Sequence, residues 1–419
     1  MKMGLAVSSQ DFVYQKFCDF YNDSSTVVPG PLLIGQREFG FLLLKEKIML
    51  RHKAFSNIKR LQTFLVETVP SDVYYSCAYY ENPQFEMDKK GWLGADLVFD
   101  IDADHIPTSC NKIHDEWICK GCGFNGKGIT PDNCPICGSQ RFDTKTWPCE
   151  ICLNSAKDET AKTIDILKND FGFADKDIHV FFSGHRGYHV HIETEAVRSL
   201  GAMARKEIAD YVSGLGIAIL GNERREGSKG RRASKAFALS DYGWNRRLKQ
   251  GLRKFILSAT KDDLRNIGIK RNYEIILQNK DSILRRCLKE NRWNIIKGVS
   301  IETWLKIAEQ VKNLESAKID TVVTTDIHRL IRSTGTLHGK TGLKKIEFPV
   351  SGLKDFDPFK EAVAFKEGTV KVFISDAPEF RLGEDKFGPY TSEEIELPTA
   401  AAILLICKGR AEVLKQIVC

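Results

Sequence analysis

Three Cys-x-x-Cys pairs fall between positions 119 and 152: Cys119 with Cys122, Cys134 with Cys137, and Cys149 with Cys152. Cys110 and His114 stand just ahead of them. The surrounding stretch, 110–152, is rich in Gly, Pro, Asn and Asp and carries too few apolar residues to build a core of its own. No charged segment followed by an apolar core opens the chain, so an intracellular, cytoplasmic setting is expected, and there paired cysteines point to metal ligation rather than disulfides. Zinc takes four tetrahedral ligands from Cys and His. The eight candidates Cys110, His114, Cys119, Cys122, Cys134, Cys137, Cys149 and Cys152 suffice for two closed sites. Spacing leaves their pairing open, because Cys122 to Cys134 and Cys137 to Cys149 each enclose 11 residues. A nested scheme puts Cys119, Cys122, Cys134 and Cys137 inside Cys110, His114, Cys149 and Cys152. A sequential scheme groups Cys110, His114, Cys119 and Cys122 first. On either scheme the zinc is structural, since four protein ligands leave no position open for chemistry.

The full chain of 419 residues has ordinary globular content, 42% hydrophobic and 28% charged. Its longest apolar runs, Phe41–Leu44 and Ala400–Cys407, fall far short of the ~20 residues that span a bilayer, so no membrane association is expected. A net charge of +7 permits a phosphate-bearing partner without demanding one. Basic clusters are more local: Arg224-Arg225, Lys229-Gly230-Arg231-Arg232 and Arg246-Arg247-Leu248-Lys249 lie within 26 residues. A solvated basic face and a nucleic-acid track account for them equally well.

The run Leu97-Val98-Phe99-Asp100-Ile101-Asp102 reads as a β-strand. Residues i and i+2 share a strand face, so Asp100 and Asp102 project together beside Val98, while Leu97, Phe99 and Ile101 face a core. Two adjacent carboxylates repel unless a cation lies between them. Hard divalent ions such as Mg²⁺ or Mn²⁺ suit such oxygen ligands and serve phosphoryl transfer. An exposed acidic strand edge would show the same spacing, so the pair alone is a weak signal.

A strand at 178–182, the turn Ser183-Gly184-His185-Arg186-Gly187 and a strand at 188–192 follow. Glycines let the backbone approach a phosphate, and Arg186 can bind its oxygens bidentately; a plain hairpin with half-buried histidines is the competing explanation. A third group runs from Asp320 through Asp326-Ile327-His328-Arg329-Leu330-Ile331-Arg332 to Thr336-Leu337-His338-Gly339-Lys340-Thr341-Gly342. Arg332, His338 and Lys340 suit triphosphate contacts, although a basic helix followed by a loop would also fit. The pattern predicts a helix over 154–171, mostly helical Lys/Arg-rich sequence over 203–312, strands at 319–324, 345–350 and 369–375, and a final helix from Ala400 to Val418.

Taken in order, these segments resemble the catalytic small subunit of the archaeo-eukaryotic DNA primases in its archaeal form. The resemblance rests on Trp92 to His105, Arg37-Glu38-Phe39-Gly40-Phe41, Tyr74-Tyr75-Ser76 with Ala78-Tyr79-Tyr80, Ser183 to His189, His328 to Arg332, and Leu337 to Gly342. It implies an α/β (α+β) fold: a mixed two-sheet catalytic core in three parts (1–109, 153–202 and 313–419), interrupted by a zinc-binding module (110–152) and a mostly helical insertion (203–312). It further implies synthesis of short primers on single-stranded DNA, by two-metal nucleotidyl transfer from nucleoside triphosphates with release of pyrophosphate.

By that likeness Asp100, Asp102 and Asp320 are the catalytic carboxylates that hold Mg²⁺ or Mn²⁺, with Asp326 the local competitor of Asp320. Arg37, Ser183, His185, Arg186, His189, Arg332, His338 and Lys340 are the nucleotide-binding residues; His185 occupies a position that is Arg in some relatives. The likeness also favours nesting of the zinc ligands, because Cys152-Leu153-Asn154 leads directly into a helix as in relatives. A large-subunit partner, usually carrying an iron–sulfur cluster, is implied as well. Cys18, Cys77, Cys287 and Cys419 are scattered and offer no cluster ligands here. A primase-polymerase that extends DNA and a non-catalytic zinc-ribbon protein are the rivals; the second leaves the three aspartates unexplained.

Overall fold

A computed structural model describes residues 8–217, 242–289 and 296–414. The basic clusters at 224–225 and 229–232, and Cys419, lie outside these residues. The chain divides into two compact units: one comprises 1–161, 174–206 and 319–419, the other 162–173 and 207–318. The second of these units is the mostly helical one.

The larger unit is mixed α/β and is built on two four-stranded antiparallel sheets. The first has the order Leu330–Arg332, Pro70–Ser76, Phe39–Leu43, Met49–Lys53. The second has the order Ile346–Phe348, Ile178–Phe182, Gly187–Ile192, Leu97–Asp102. Leu97, Phe99 and Ile101 are fully buried, as strand alternation requires. A helix at Ser9–Asn22 is capped by Ser8, whose hydroxyl accepts the Asp11 amide, and it buries Val13, Phe17 and Tyr21 at fourfold spacing. These pack with Phe39 and Phe41 of the first sheet in one apolar cluster. Edge-to-face contacts of both phenylalanines with Phe55, at 5.2 and 5.9 Å, add geometric specificity to that burial.

Three expectations fail here. Residues 321–325 form a short helix rather than a strand, because the Asp320 carboxylate accepts the amides of Val322 and Val323 and nucleates a turn. The basic segment is not a helix either: Leu330–Arg332 is a strand, paired with Tyr74–Ser76. The last helix spans only Thr399–Cys407, and after a turn Ala411–Val413 joins a third sheet as a strand.

In the helical unit, Gly243–Ser258 and Ile301–Glu315 pack around Trp244, Leu252, Ile256, Trp304 and Ile307. Gly251 sits where any Cβ would meet Val311 and Glu315 within 3 Å. Arg247 is buried and bonded to Asp165 and Asp170, and Arg246 also pairs with Asp170. The third basic cluster is thus partly structural.

Candidate active site

The acidic strand Leu97–Asp102 lies at the edge of its sheet, antiparallel to Gly187–Ile192, in a register that sets Gly187 opposite Asp102 and His189 opposite Asp100. Gly187 has no room for a side chain: an added Cβ would lie 2.4 Å from the Ile101 carbonyl oxygen. The absence of that Cβ lets the turn close onto the acidic strand. Gly184, at φ +85°, supplies the left-handed residue of the same turn.

A cavity of about 190 Å³ opens at this point. From the second sheet and its turn it takes Val98, Asp100, Asp102, Ser183, His185 and His189. From the first sheet it takes Tyr74, Leu330, Ile331 and Arg332, and adjoining segments add Val323, Arg329 and His338. The two sheets therefore bring together residues more than 200 positions apart in sequence.

Electrostatics distinguish this cavity from an ordinary cleft. Burial, then the charges of Asp102 and Asp320, push the Asp100 carboxyl up to about 7. Asp320 stands close because its backbone N–H donates to the Asp100 carbonyl at 2.8 Å. Asp326, by contrast, caps the far end of the short helix and accepts the His328 amide. Asp102 Oδ1 accepts the Asp104 amide at 3.0 Å, which fixes the carboxylate at the strand end. The raised Asp100 carboxyl, with the carboxylates of Asp102 and Asp320 beside it, forms a donor set suited to a hard divalent cation.

The basic wall is built on Asp72. Its carboxylate receives Arg332 Nη1 and the Gly339 amide, and His338 lies 3.8 Å away. Burial works against its charge, but the Arg332 guanidinium holds the carboxyl down at about 2. Arg332 also donates to the Tyr74 hydroxyl at 3.3 Å. The His185 ring stacks on His338 at 5.0 Å, and its Nε2 is 2.6 Å from Lys408 Nζ. Burial, then Lys408, drives His185 well below the usual imidazole range, so its ring is neutral at pH 7. Lys345 is fully buried and donates to the Arg332 carbonyl at 2.8 Å; burial, then Arg332, lowers it to about 7. Sequence reasoning missed Asp72, Lys345 and Lys408, because no motif spacing singles out one buried charge.

Two expected nucleotide ligands stand elsewhere. Arg37 is fully buried, its guanidinium bonded to the carbonyls of Leu32, Ser76 and Cys77 and to Asp96, with Tyr79 stacked 3.6 Å from its centre. Those partners leave it no reach toward the cavity. Arg186 is equally buried and turns away from the cavity toward Asp104 and Asp115. Lys340 is exposed just outside the cavity, where its amide donates to His338 Nδ1.

The cysteines form two groups of four that could hold metal ions: Cys110, His114, Cys149 and Cys152, and Cys119, Cys122, Cys134 and Cys137. These are the nested sets. Sulfurs of the Cys110–His114–Cys149–Cys152 group approach to 3.4 and 3.5 Å, and those of the Cys119–Cys122–Cys134–Cys137 group to 3.6 and 3.7 Å. Ligands at ~2.3 Å from a tetrahedral zinc lie about 3.8 Å apart, so both groups fit. His114 turns Nε2 to Cys152 and bonds Asp115 through Nδ1 at 2.7 Å, the outer partner that zinc-binding histidines ordinarily have.

A family model described as DNA primase small subunit matches residues 143–349. The DNA primase small subunit of Methanococcoides burtonii is 32% identical, over 96% of this chain and 97% of its own length. The chain belongs to the DNA primase small subunit family. That of Nitrosopumilus maritimus is 30% identical over 96% of this chain and 98% of its own, and that of Archaeoglobus fulgidus 31% over 96% and 97%. The acidic strand lies outside the matched 143–349 segment, while the Ser183–His189 turn and the Arg332–His338 wall lie within it. Full-length similarity spans both halves of the cavity. Among the described residues of this primase subunit, no helix is long and apolar enough to cross a membrane.

Proposed function

We propose that this chain is the catalytic subunit of a DNA primase, and that it builds short primers on single-stranded DNA by nucleotidyl transfer from nucleoside triphosphates, releasing pyrophosphate. The observation that carries the reading is the single cavity in which Asp100 and Asp102 face Arg332, His338, His189 and Ser183. Acid on one wall and base on the other is what a cation-bound triphosphate requires.

In this reading Asp100, Asp102 and Asp320 hold Mg²⁺ or Mn²⁺. Bound there, the cation would lower the charge repulsion between an attacking hydroxyl and the α-phosphate and stabilise the leaving pyrophosphate. Arg332, fixed by Asp72, binds phosphate oxygens in a set orientation. The neutral rings of His185 and His338 donate hydrogen bonds without adding cations of their own, and Ser183 contributes a hydroxyl. Lys340, at the rim, meets the triphosphate as it enters. Zinc fills both cysteine groups and stabilises the 110–152 segment. A large subunit completes the enzyme.

The test is a primer-synthesis assay on single-stranded template, with Mg²⁺ or Mn²⁺, ribonucleotides or deoxyribonucleotides, and with or without the large subunit. Template-dependent products that vanish in Asp100→Ala and Asp102→Ala are expected. Full activity of a well-folded double variant would end the assignment.

A further inference from the structure

Arg186 lies between the Cys110–His114–Cys149–Cys152 group and the acidic strand, with no accessible surface of its own. Its Nη1 is 2.8 Å from Asp115 Oδ1 and 3.0 Å from Asp104 Oδ1, and Nη2 donates to Cys152 Sγ at 3.6 Å. On one side, the same Asp115 oxygen bonds His114 Nδ1 at 2.7 Å and accepts the Trp147 amide at 3.2 Å. On the other, the Asp104 amide donates to Asp102 Oδ1 at 3.0 Å, and the Arg186 carbonyl accepts the Ala103 amide at 3.1 Å. Polar contacts thus run without a break from two metal-type ligands, His114 and Cys152, to the carboxylate of Asp102.

We propose that Arg186 is a positioning residue that couples the Cys110–His114–Cys149–Cys152 centre to Asp102, so that the integrity of that centre sets the affinity of the acidic pair for a divalent cation. The inference rests on the proposal that Asp100 and Asp102 bind such a cation. The physical reason is the mutual dependence of buried charges. Asp104 and Asp115 share one guanidinium, and without it two carboxylates would face each other unneutralised. The 102–104 turn would then move to separate them, carrying Asp102 Oδ1 with it.

Electrostatics and positioning predict opposite signs, which makes the idea testable. Deleting a cation near two carboxylates tightens divalent binding if charge alone acts. Loss of positioning weakens it. Mn²⁺ binding to the purified full chain, followed by electron paramagnetic resonance without nucleotide, reads the difference directly, and Asp100→Ala defines the signal from the acidic pair. Arg186→Met is expected to weaken Mn²⁺ binding at least fivefold, with Arg186→Lys, which keeps the charge, between it and the unmodified protein. Cys110→Ser is expected to weaken Mn²⁺ binding similarly, and to add nothing in the Arg186→Met background.

Tighter or unchanged Mn²⁺ affinity in Arg186→Met overturns the proposal, as do strictly additive effects of the two substitutions. If Arg186→Met does not fold by circular dichroism, Arg186→Lys decides alone: weaker binding supports the coupling, and unaltered binding overturns it. If the unmodified chain shows no Asp100-dependent Mn²⁺ signal, the cation reading of the acidic pair fails instead, an outcome distinct from normal binding that ignores Arg186.

Discussion

His189 and Asp100 face each other across the antiparallel pairing of their strands, with Nε2 3.6 Å from Oδ1. Burial drives the histidine well below its ordinary range, while burial and the neighbouring acids raise the aspartate to about 7. The pair is therefore neutral on one side and poised to titrate on the other.

The first prediction follows from that aspartate. Its pKa is higher folded than unfolded, so the protonated form is stabilising, and that contribution is lost as pH rises from about 4 through 7. At ~1.4 kcal/mol per pKa unit the full effect would be a few kcal/mol, reduced because 28% of the side chain remains open to water. In the cation-free protein Asp100→Asn is expected to raise stability at pH 8 by about 1–2 kcal/mol and to leave it unchanged at pH 4. Denaturant unfolding at the two pH values, with chelator present, checks this. Equal effects at both would refute the assignment of the shift.

Gly187 supports a second prediction. A Cβ at this position collides with the Ile101 backbone, which cannot retreat without breaking the ladder to the acidic strand. Gly187→Ala should cost about 2 kcal/mol or more, as overpacking against rigid backbone does, and should abolish primer synthesis even at temperatures where the protein stays folded. Gly201, whose added Cβ meets nothing within 4 Å, is the control, and Gly201→Ala is expected to be silent. Thermal unfolding and the primer assay on both variants decide the point.

Much of this arrangement is legible in the sequence. Alternation along Leu97–Asp102 announced the shared face of the two aspartates, and the Gly-rich turn announced the hairpin that pairs with them. What failed was local context. Asp320 initiates a helix because its carboxylate can cap the amides of Val322 and Val323, and short β-branched runs such as Thr321–Thr325 do not betray that choice. Arg37 and Arg186 read as phosphate ligands since an arginine next to a family motif gives no sign of its depth. Only packing shows that their guanidinium groups are already committed to Asp96, Asp104 and Asp115. Asp72 was invisible for the complementary reason: its partners, Arg332 and Gly339, lie 260 and 267 positions away.

Asp72 yields a third prediction. Its carboxyl, held at about 2, contributes stability that is present above pH 4 and lost as pH falls toward 2. Asp72→Ala leaves Arg332 buried without its counter-ion, a change that costs about 3–5 kcal/mol. Asp72→Asn keeps an acceptor and should cost less. In the folded Asn variant Arg332 is held only by a neutral acceptor and its orientation loosens, so KM for nucleotide is expected to rise about tenfold with a smaller change in kcat. A kcat loss at unchanged KM would show that Arg332 does not contact the nucleotide.

The two cysteine groups predict different consequences of metal loss. The ribbon strands Glu116–Cys119, Asn125–Lys127 and Phe142–Lys145 enclose little beyond Trp117 with Phe124 and Phe142, so their order depends on Cys119, Cys122, Cys134 and Cys137. Metal analysis of the purified chain is expected to return two zinc ions, and one in Cys119→Ser. That variant should become sensitive to trypsin at Lys120, Lys127 and Lys145 while the remaining unit keeps its unfolding temperature. The other group borders the acidic strand through Arg186, so Cys110→Ser should lose one zinc and primer synthesis together. If a Cys110→Ser, Cys119→Ser double variant still holds one zinc ion, the nested division into two centres is wrong, and the sequential pairing, which puts both cysteines in one site, takes its place.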